Sequence, residues 1–526
     1  MAKKGIVYLI GAGPGDPELI TVKGRRLMGQ ADVVVYDYLA NKKLLAHAPS
    51  SATFIYAGKR GGSRHIHSQS EINQILVDHA LAGKTVIRLK GGDPFIFGRG
   101  GEELEKLVSC GIPFEAVPGV TSASAAATYA GVPITHRRFT SSVTFVTGHE
   151  DPGKKATRIA WDALATGRGT IVFYMGIKNL PNICANLISH GRDPQTPVAV
   201  VRWASTPQQR SVVGTLENIA EVVRKALITP PSLVVVGEVV ALRDTINWYE
   251  QRPLFGQRIL VTRSREQASD LVRGLEDMGA FCLEGATIAL AAPPDWTPLD
   301  QALARIAAYQ WLLFTSPNAV RFFFQRLAVL GRDSRDLHGP KIAAIGAATA
   351  ASLLGHGIKA DLLPTQFTAE GLAEALLAQG MTQGMTQGMR GQKILLPRAL
   401  KARDVLPASL EKAGAGVDIV QVYQNVRPAL DQEVRQALDQ REIDLITFTS
   451  SSTVTNFVEL LGCRSAQLVD LLAGIKIAAI GPITAATVAK VGLSVNIQPQ
   501  KHTIPELIAA IVEYFQKTPA PDKNVS

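Results

Sequence analysis

A glycine-rich loop with one carboxylate and two phenylalanines lies between a predicted strand and a predicted helix, at residues 88–103. The apolar run 85–89 is typical of a buried strand, and the acidic, periodic run that starts at Glu102 is typical of a helix. Glycines at a strand end let the backbone approach a ligand closely, because no Cβ intervenes. Open α/β sheets bind small molecules at the carboxyl ends of their strands. The stretch therefore indicates a small-molecule site, with a tight strand-to-helix turn as the alternative.

Polar side chains follow another predicted strand and also lie on a second glycine loop. Asp37 comes directly after the predicted buried strand 32–36, where its carboxylate could act as a general base or cap the next turn. The loop 58–62 carries two cations between glycines, and cations on such a loop suit the recognition of carboxylates. His65 and His67 follow it, but no cluster of cysteines or carboxylates accompanies them. We expect solvent-facing histidines there and no metal site.

The loop 11–17 resembles a dinucleotide-binding turn only in part. It follows the predicted strand 7–10, but the third glycine of the G-x-G-x-x-G pattern would fall on Asp16. Two prolines, Pro14 and Pro17, would disturb the helix N-terminus that holds a pyrophosphate. A nicotinamide cofactor is therefore not predicted for this loop.

The elements that must position these residues alternate between strands and helices over residues 1–250, which predicts an α/β fold. A turn at 117–121 enters a helix of very small residues, which allows close packing against another element or a flat ligand. The chain then crosses at 131–135 into a second subdomain. Small residues at several strand ends are expected for a cleft lined by backbone. The predicted strands of this subdomain are 142–147, 170–174, 197–203 and 232–240, the last interrupted by Gly237.

Composition and charge indicate a cytoplasmic protein without a membrane span that has an anionic partner. No apolar run reaches the roughly 18 residues of a membrane span, and the N-terminus does not have the pattern of a signal peptide. The four cysteines are far apart, which favours a reducing cytoplasm. The net charge of +10 is lopsided, with +8 in residues 1–250 and +2 in the remainder. We expect a small polyanion as partner, since the basic residues are dispersed and rarely interleaved with the aromatic residues that nucleic-acid binding favours.

The second half contains an internal repeat at a spacing of 135 residues. Residues 258–263 align with 393–398, and 341–346 align with 476–481. Two copies indicate the duplication of one α/β unit and not a solenoid. A Gly/Met/Thr/Gln-rich insert at 380–389 separates the copies. It predicts a flexible loop, with a Met-rich binding segment as the weaker interpretation.

The first half resembles uroporphyrinogen-III C-methyltransferase. The resemblance is carried by GAGPGDPELIT at 11–21, VVVYD at 33–37, GKRGG at 58–62, RLKGGDPFIFGRGGEE at 88–103, VPGVTSASAAATYAGVPITHR at 117–137, YMG at 174–176 and PPSLVVVGEVV at 230–240. It implies a two-subdomain tetrapyrrole methylase fold, a homodimer formed through this half, and S-adenosylmethionine in the cleft between subdomains.

The same resemblance implies roles for individual residues. Asp37 would accept a proton and Lys59 would donate one, while Arg60, Arg64 and Lys90 are candidate contacts for substrate carboxylates. The residues implied to bind the cofactor are Pro14, Gly91, Gly92, Asp93, Ile96, Thr121, Ser122, Met175 and Ala204.

The second half resembles uroporphyrinogen-III synthase, through VTRSREQA at 261–268, FTSPNAV at 314–320, LLPRA at 395–399, VYQN at 422–425, FTSSSTV at 448–454 and IGPITAATVAKVG at 480–492. It implies two α/β subdomains joined by a two-strand ladder, and no cofactor or metal. Tyr423 would assist departure of a hydroxyl group. The implied carboxylate contacts, for which capping of strand ends is the alternative, are Arg263, Thr315, Ser316, Arg398, Ser450 and Thr484.

The two resemblances together predict a bifunctional cytoplasmic enzyme of sirohaem and cobalamin synthesis. The second half would cyclise hydroxymethylbilane to uroporphyrinogen III, and the first would methylate it at C2 and C7 to give precorrin-2. The alternatives are a synthase-like half that is only a scaffold or a sensing module; a DNA-binding regulator would need a basic recognition helix that the sequence does not show. The predicted division is a methyltransferase at 1–248 (subdomains about 1–130 and 131–248), a linker at 249–257, a synthase at 258–516 (258–290 plus 423–516, and 291–422) and a disordered tail at 517–526.

Overall fold

The computed structural model describes most of the chain: residues 4–60, 64–65, 67–148, 159–263, 265–382, 389–400, 404–426, 428–463 and 465–518. The flexible loop predicted at 380–389 is wrong at its start, because residues 380–382 belong to the helix Ala369–Thr382; residues 383–388 lie outside the described residues. The predicted tail lies outside them from residue 519 onwards.

A five-stranded parallel sheet forms the first unit, in the order β3-β2-β6-β1-β7. Its strands are apolar runs such as 33–35, buried on both faces, as expected for a parallel sheet covered by helices. The pairing places the carboxyl ends of β1, β2 and β6 side by side. The elements of this unit are β1 (Ile6–Gly11), α1 (Val22–Met28), β2 (Val33–Tyr36), β3 (Thr53–Tyr56), β4 (Lys59–Arg60), β5 (Arg64–His65), α2 (Gln69–Leu81), β6 (Thr85–Lys90), α3 (Gly100–Ser109), β7 (Phe114–Val117) and α4 (Ser122–Tyr129).

The second sheet is mixed, in the order β11-β10-β12-β9-β8, and only β8 and β9 are parallel. The strand predicted at 232–240 ends at Val236, because Gly237 has a φ of +145° and turns the chain into the 3-10 helix Glu238–Leu242. The elements are β8 (Val143–Thr147), α5 (Trp161–Thr166), β9 (Thr170–Tyr174), α6 (Leu180–Ser189), β10 (Pro197–Arg202), β11 (Arg210–Thr215), α7 (Ile219–Lys225), β12 (Ser232–Val236) and α8 (Arg243–Ile246).

Two further sheets form the second half. One is parallel, in the order β14-β13-β20-β21, and the other has the order β15-β19-β18-β16-β17. The elements are β13 (Arg258–Val261), α9 (Arg265–Asp277), β14 (Phe281–Glu284), β15 (Ala289–Ala291), α10 (Thr297–Ala304), β16 (Trp311–Phe314), α11 (Pro317–Val329), β17 (Lys341–Ala344), α12 (Ala347–Leu354), α13 (Ala369–Thr382), β18 (Lys393–Ala399), α14 (Val405–Lys412), β19 (Gly416–Val426), α15 (Gln432–Asp439), β20 (Leu445–Phe448), α16 (Ser451–Leu461), α17 (Ser465–Leu471), β21 (Lys476–Ala479), α18 (Pro482–Lys490) and α19 (Ile504–Lys517).

The internal duplication is visible in the way the two sheets share strands. The first copy supplies β13 and β14 to the four-stranded sheet and β16 and β17 to the five-stranded sheet. The second copy supplies its first strands, β18 and β19, to the five-stranded sheet and its last strands, β20 and β21, to the four-stranded sheet. Each sheet therefore contains half of each copy. The bridges Ala343–Leu362 and Ala478–Ile497, which are equivalent at the spacing of 135, confirm the register of the repeat.

The two sheets are connected through β15 and β19. These strands pair antiparallel over Ala289–Val426, Leu290–Asn425 and Ala291–Gln424. The predicted subdomain boundaries at 290 and 422 fall within these two strands, so both run through the junction.

No helix among the described residues has the length and apolar content that crossing a membrane requires. The same residues contain no group of three or more His, Cys, Asp or Glu side chains placed to hold a metal ion.

Candidate active sites

Glycines from three segments meet at the carboxyl edge of the first sheet. The N–H of Gly92 donates to the carbonyl of Gly13 at 2.7 Å, and the N–H of Gly13 donates back to Gly92 at 3.3 Å. A Cβ on Gly119 would lie only 2.3 Å from the carbonyl oxygen of Gly92. Glycine is therefore required where these backbones touch.

Asp93 fixes two of the loops at this edge. One carboxylate oxygen accepts the N–H of Gly119 at 3.0 Å, and the other accepts the N–H of Phe95 at 2.8 Å. The side chain thus holds the glycine-rich loop against the turn that enters α4.

The second sheet reaches the same place through Tyr174, the last residue of β9. Its hydroxyl lies 2.6 Å from Oγ1 of Thr121 and accepts the N–H of Ala123 at 3.2 Å. Its ring packs on Phe97 with 4.9 Å between centroids. Met175 follows with a φ of +55° and a half-exposed side chain, so it lies at the rim of the cleft between the sheets.

The loop after β1 closes the cleft on the other side. The N–H of Asp16 donates to Oγ of Ser205 at 3.2 Å, and a Cβ on Gly15 would lie 3.2 Å from the carbonyl oxygen of Ala204. These contacts join the segments that carry the predicted cofactor residues. Those residues are Pro14, Gly91, Gly92, Asp93, Ile96, Thr121, Ser122, Met175 and Ala204. That they bind a cofactor stays a prediction.

Asp37 lies next to a buried network of charges at the ends of β2 and β6. Its carboxylate accepts hydrogen bonds from Nη2 of Arg88 at 3.3 Å and from the N–H of Leu39 at 3.1 Å. Arg88 also donates to Glu103 at 3.3 Å. The guanidinium therefore bridges a partly exposed carboxylate and a fully buried one.

Lys90 belongs to the same network. Its ammonium donates to Glu103 at 2.8 Å, and its side chain is 6% exposed. Burial is the largest cause that lowers the pKa of Lys90, with Arg88 adding to it and Glu103 opposing it. This placement favours an internal ion pair over the predicted contact with a substrate carboxylate.

Three other predicted residues, Lys59, Arg60 and Arg64, lie on the hairpin of β4 and β5. The backbones of Lys59 and His65 are paired, as are those of Arg60 and Arg64. Their predicted contacts with substrate stay predictions.

A basic cavity of about 280 Å³ lies beside the start of β8 and β9. Its lining includes three exposed arginines, Arg137, Arg138 and Arg168. Sequence reasoning missed this site, although Arg137 closes one of the quoted motifs. The adjacent pair of arginines was the available signal, but Arg168 joins it only through the pairing of β8 with β9.

A cavity of about 300 Å³ lies at the junction of the two sheets of the second half. Three predicted residues, Arg263, Tyr423 and Ser450, line it together. The ladder strands contribute Leu290 and Asn425 to its wall, and Ile288 comes directly before β15. One cation and several hydroxyl and amide groups can therefore contact a polyanionic ligand from both sheets.

The other predicted residues of this half are placed differently. Ser316 caps α11 and lies 3.3 Å from the hydroxyl of Tyr423, and Thr315 precedes it at the end of β16. Arg398 donates to Asp404 at 2.6 Å, and Thr484 is buried in α18. None of these four residues, Thr315, Ser316, Arg398 and Thr484, lines the cavity.

Sequence reasoning also missed part of the cavity wall. Asn318 and Ser452 stand at the same position of their helices, two residues after the capping serine, in the two copies of the repeat. Both lie inside quoted motifs, and the equivalence between copies was the signal that could have identified them.

Comparison with known proteins finds a different family in each half of the chain. The family profile of the tetrapyrrole (corrin/porphyrin) methylases matches residues 6–220, and that of uroporphyrinogen-III synthase HemD matches residues 250–509. The chain is 38% identical over 511 residues to the porphyrin biosynthesis protein HemD of Ruminiclostridium josui, covering 97% of this chain and 98% of the relative.

Two further similarities each cover about half of this chain. An S-adenosyl-L-methionine-dependent uroporphyrinogen III methyltransferase of Methanosarcina barkeri is 52% identical over 248 residues, which are 47% of this chain and 96% of the relative. The solved uroporphyrin-III C-methyl transferase of Thermus thermophilus complexed with S-adenyl homocysteine is 43% identical, with a TM-score of 0.39, over 45% of this chain and all of that chain. The chain therefore belongs to both families, as a tetrapyrrole methylase fused to a HemD-type uroporphyrinogen-III synthase.

Proposed function

We propose that the chain catalyses two consecutive steps of tetrapyrrole synthesis. The second half cyclises hydroxymethylbilane to uroporphyrinogen III, and the first half transfers two methyl groups from S-adenosylmethionine to C2 and C7 to give precorrin-2. The observation that carries the proposal is the presence of both families in one chain. A relative has the same extent, since the match to it spans 97% of this chain and 98% of the relative. One half would then make what the other consumes.

The cleft of the first half fits the methyl donor in its backbone chemistry. A Cβ on Gly92 would meet only the N–H of Ser122, at 3.7 Å, so a side chain would fill space that the glycine leaves open. Pro14, Gly92, Asp93 and Met175 would hold the donor. S-adenosylmethionine supplies an electrophilic methyl group on a sulfonium.

The chain's own contribution to methyl transfer is orientation and proton transfer. Holding the reacting atoms in line lowers the barrier, because the entropy of alignment is lost on binding and not at the reaction step. Asp37 would accept the pyrrole N–H proton, which makes the ring carbon a better nucleophile. Its contact with Arg88 fixes the carboxylate, and Lys59 would return a proton.

Cations of the first half suit the eight carboxylates of uroporphyrinogen. Arg60 and Arg64 on the hairpin of β4 and β5 stay candidates for binding these carboxylates. The basic cavity beside β8 and β9 adds Arg137, Arg138 and Arg168 as further candidates. Guanidinium groups bind carboxylates with two parallel hydrogen bonds, which fixes orientation as well as position.

In the second half the proposed chemistry centres on Tyr423. The C–O bond of the hydroxymethyl group breaks with both electrons on oxygen, and the oxygen leaves as water with the phenol proton. The pyrrole nitrogen lone pair stabilises the resulting cation. The carbon of the last ring that attacks it already bears a bridging carbon, so it has no proton to lose and its bond to that bridge breaks instead, which leaves a cation on the bridge. The unsubstituted carbon of the now inverted ring attacks this second cation and loses its proton, which restores the phenol. The cavity holds the bilane in a folded conformation through Arg263, Asn318 and Ser450, and shields the cation from water.

The full chain with hydroxymethylbilane alone should give uroporphyrinogen III, and addition of S-adenosylmethionine should convert it to precorrin-2. Supplying uroporphyrinogen III with the donor tests the first half separately. Formation of only the uninverted isomer I from hydroxymethylbilane would instead establish the second half as a scaffold.

Three finer assignments belong to the same proposal. The first half would form a homodimer in the cytoplasm, and the domains would divide at 1–248, 249–257 and 258–516. Light scattering of the full chain measures the oligomeric state, and limited proteolysis measures the boundaries.

A further inference from the structure

Tyr423 is held in one orientation by α11. Its ring stacks on Phe322, with 5.6 Å between centroids and 16° between planes. Its hydroxyl lies 3.3 Å from Oγ of Ser316, the residue that caps the same helix. Because Tyr423 also lines the cavity, α11 determines how its hydroxyl is presented to a ligand.

The atoms available to Ser316 allow it to donate to Tyr423. Its Oγ already accepts the N–H of Ala319 at 3.0 Å, so one of its two lone pairs is used in the cap. Either oxygen of the Ser316–Tyr423 pair can be the donor, and the serine hydroxyl has one proton for the phenol oxygen. When Ser316 donates to Tyr423, the phenol keeps its own proton free for the cavity.

We propose that Ser316 is a positioning residue that directs the Tyr423 proton towards the leaving hydroxyl of the substrate, an inference that rests on the proposed synthase function. A donor to the phenol oxygen also makes the phenol a better hydrogen-bond donor, because hydrogen bonds in a chain polarise one another. Ser316 thereby acts through Tyr423 and not on a substrate carboxylate.

The second copy of the repeat shows that capping alone does not require this contact. Ser450 caps α16 in the same way, accepting the N–H of Thr453 at 3.3 Å. Its hydroxyl lies 2.9 Å from Oγ of Ser452, where no tyrosine stands. The tyrosine partner is therefore an addition to the cap of the first copy.

The test is a double-mutant cycle on the full chain, with hydroxymethylbilane as substrate and uroporphyrinogen III as the measured product. Ser316→Ala should lower kcat about tenfold and leave KM almost unchanged, since the hydrogen bond from Ser316 to the Tyr423 hydroxyl is lost in the transition state. Ser316→Thr should restore kcat to within about twofold, because it keeps both the cap and the donor. In a Tyr423→Phe background, Ser316→Ala should cause no further loss.

Helix capping is controlled separately. Ser316→Gly nearly preserves the cap energy and should lose kcat as Ser316→Ala does. Asp431→Ala removes the cap of α15, where Asp431 accepts the N–H of Glu433, and should leave kcat unchanged.

An equal loss of kcat from Ser316→Ala in both Tyr423 backgrounds would overturn the inference, as would a rise in KM with kcat unchanged. If the wild type forms no uroporphyrinogen III, the proposed synthase function itself fails.

Discussion

At the scale of single residues, the first half depends on a buried carboxylate between two cations. Glu103 is fully buried, and one of its oxygens accepts from Lys90 at 2.8 Å, Gln69 at 3.1 Å and Arg88 at 3.3 Å. Arg88 in turn contacts Asp37. The orientation of Asp37, the candidate base, therefore depends on Arg88, which is buried and does not face the substrate.

Removing the charge of Glu103 should be costly. Glu103→Gln leaves Arg88 and Lys90 as neighbouring buried cations, and breaking a buried ion pair in this way costs about 3–5 kcal/mol. We expect a loss of that size in the free energy of unfolding, measured by urea denaturation of the full chain.

The adjacent residue supplies the control for this variant. Glu102 pairs with Arg99 at the surface, where both side chains are about half exposed, so Glu102→Gln should cost less than about 1 kcal/mol. Equal losses for the two variants would show that the buried network does not stabilise the fold.

At the scale of elements, the cleft depends on the close approach of three backbones. Gly119→Ala places a Cβ 2.3 Å from a backbone oxygen of Gly92, so one of the two loops must move. We expect affinity for S-adenosylmethionine, measured by calorimetry, to fall at least about tenfold, since misplacement of about 1 Å disrupts a preorganised site.

Gly101→Ala is the matched control for this substitution. Nothing lies within 4 Å of the added Cβ, and the residue is in the first turn of α3. Affinity should be unchanged, and stability should be equal or up to about 1 kcal/mol higher, because alanine is the better helix former. Unchanged donor affinity in Gly119→Ala would contradict the importance of this contact.

The sequence predicts local elements well where the apolar pattern is continuous, as in β6 and β9, both confirmed. It predicts an interruption at Gly237 but continues the strand to 240, because nothing in the apolar run shows that Gly237 takes a positive φ and starts a 3-10 helix. It detects the repeat through equivalent strands such as β17 and β21. The exchange of strands between the two sheets is a long-range pairing, which the family resemblance implies and the apolar pattern does not show. The charges around Glu103 are likewise visible as residues, but their burial depends on tertiary packing.

At the scale of the whole molecule, the two halves are joined by more than a covalent connection. Tyr249 and Leu254, within the predicted linker, are 4% and 0% exposed. The ring of Tyr249 packs on Tyr129 of the first half at 4.8 Å, and Leu254 lies in the apolar core with residues of β13 and α9. Lys43 of the first half donates to both carboxylate oxygens of Glu276 in α9, at 2.8 and 3.0 Å. The linker and this ion pair together form an interface.

The ion pair should give the interface a pH dependence. Burial is the largest cause that raises the pKa of Glu276, Glu284 and Asp16 add to it, and Lys43 opposes it. An acid with a raised pKa in the folded state binds more protons folded than unfolded, so the free energy of unfolding falls as pH rises from about 4.5 through the raised pKa. Glu276→Gln should reduce this slope, and Lys43→Met should steepen it, because the carboxylate then loses its cation. Urea denaturation of the full chain between about pH 4.5 and pH 8 measures the slopes. The same slope in all three proteins would show that the carboxylate of Glu276 is not buried between the halves in solution.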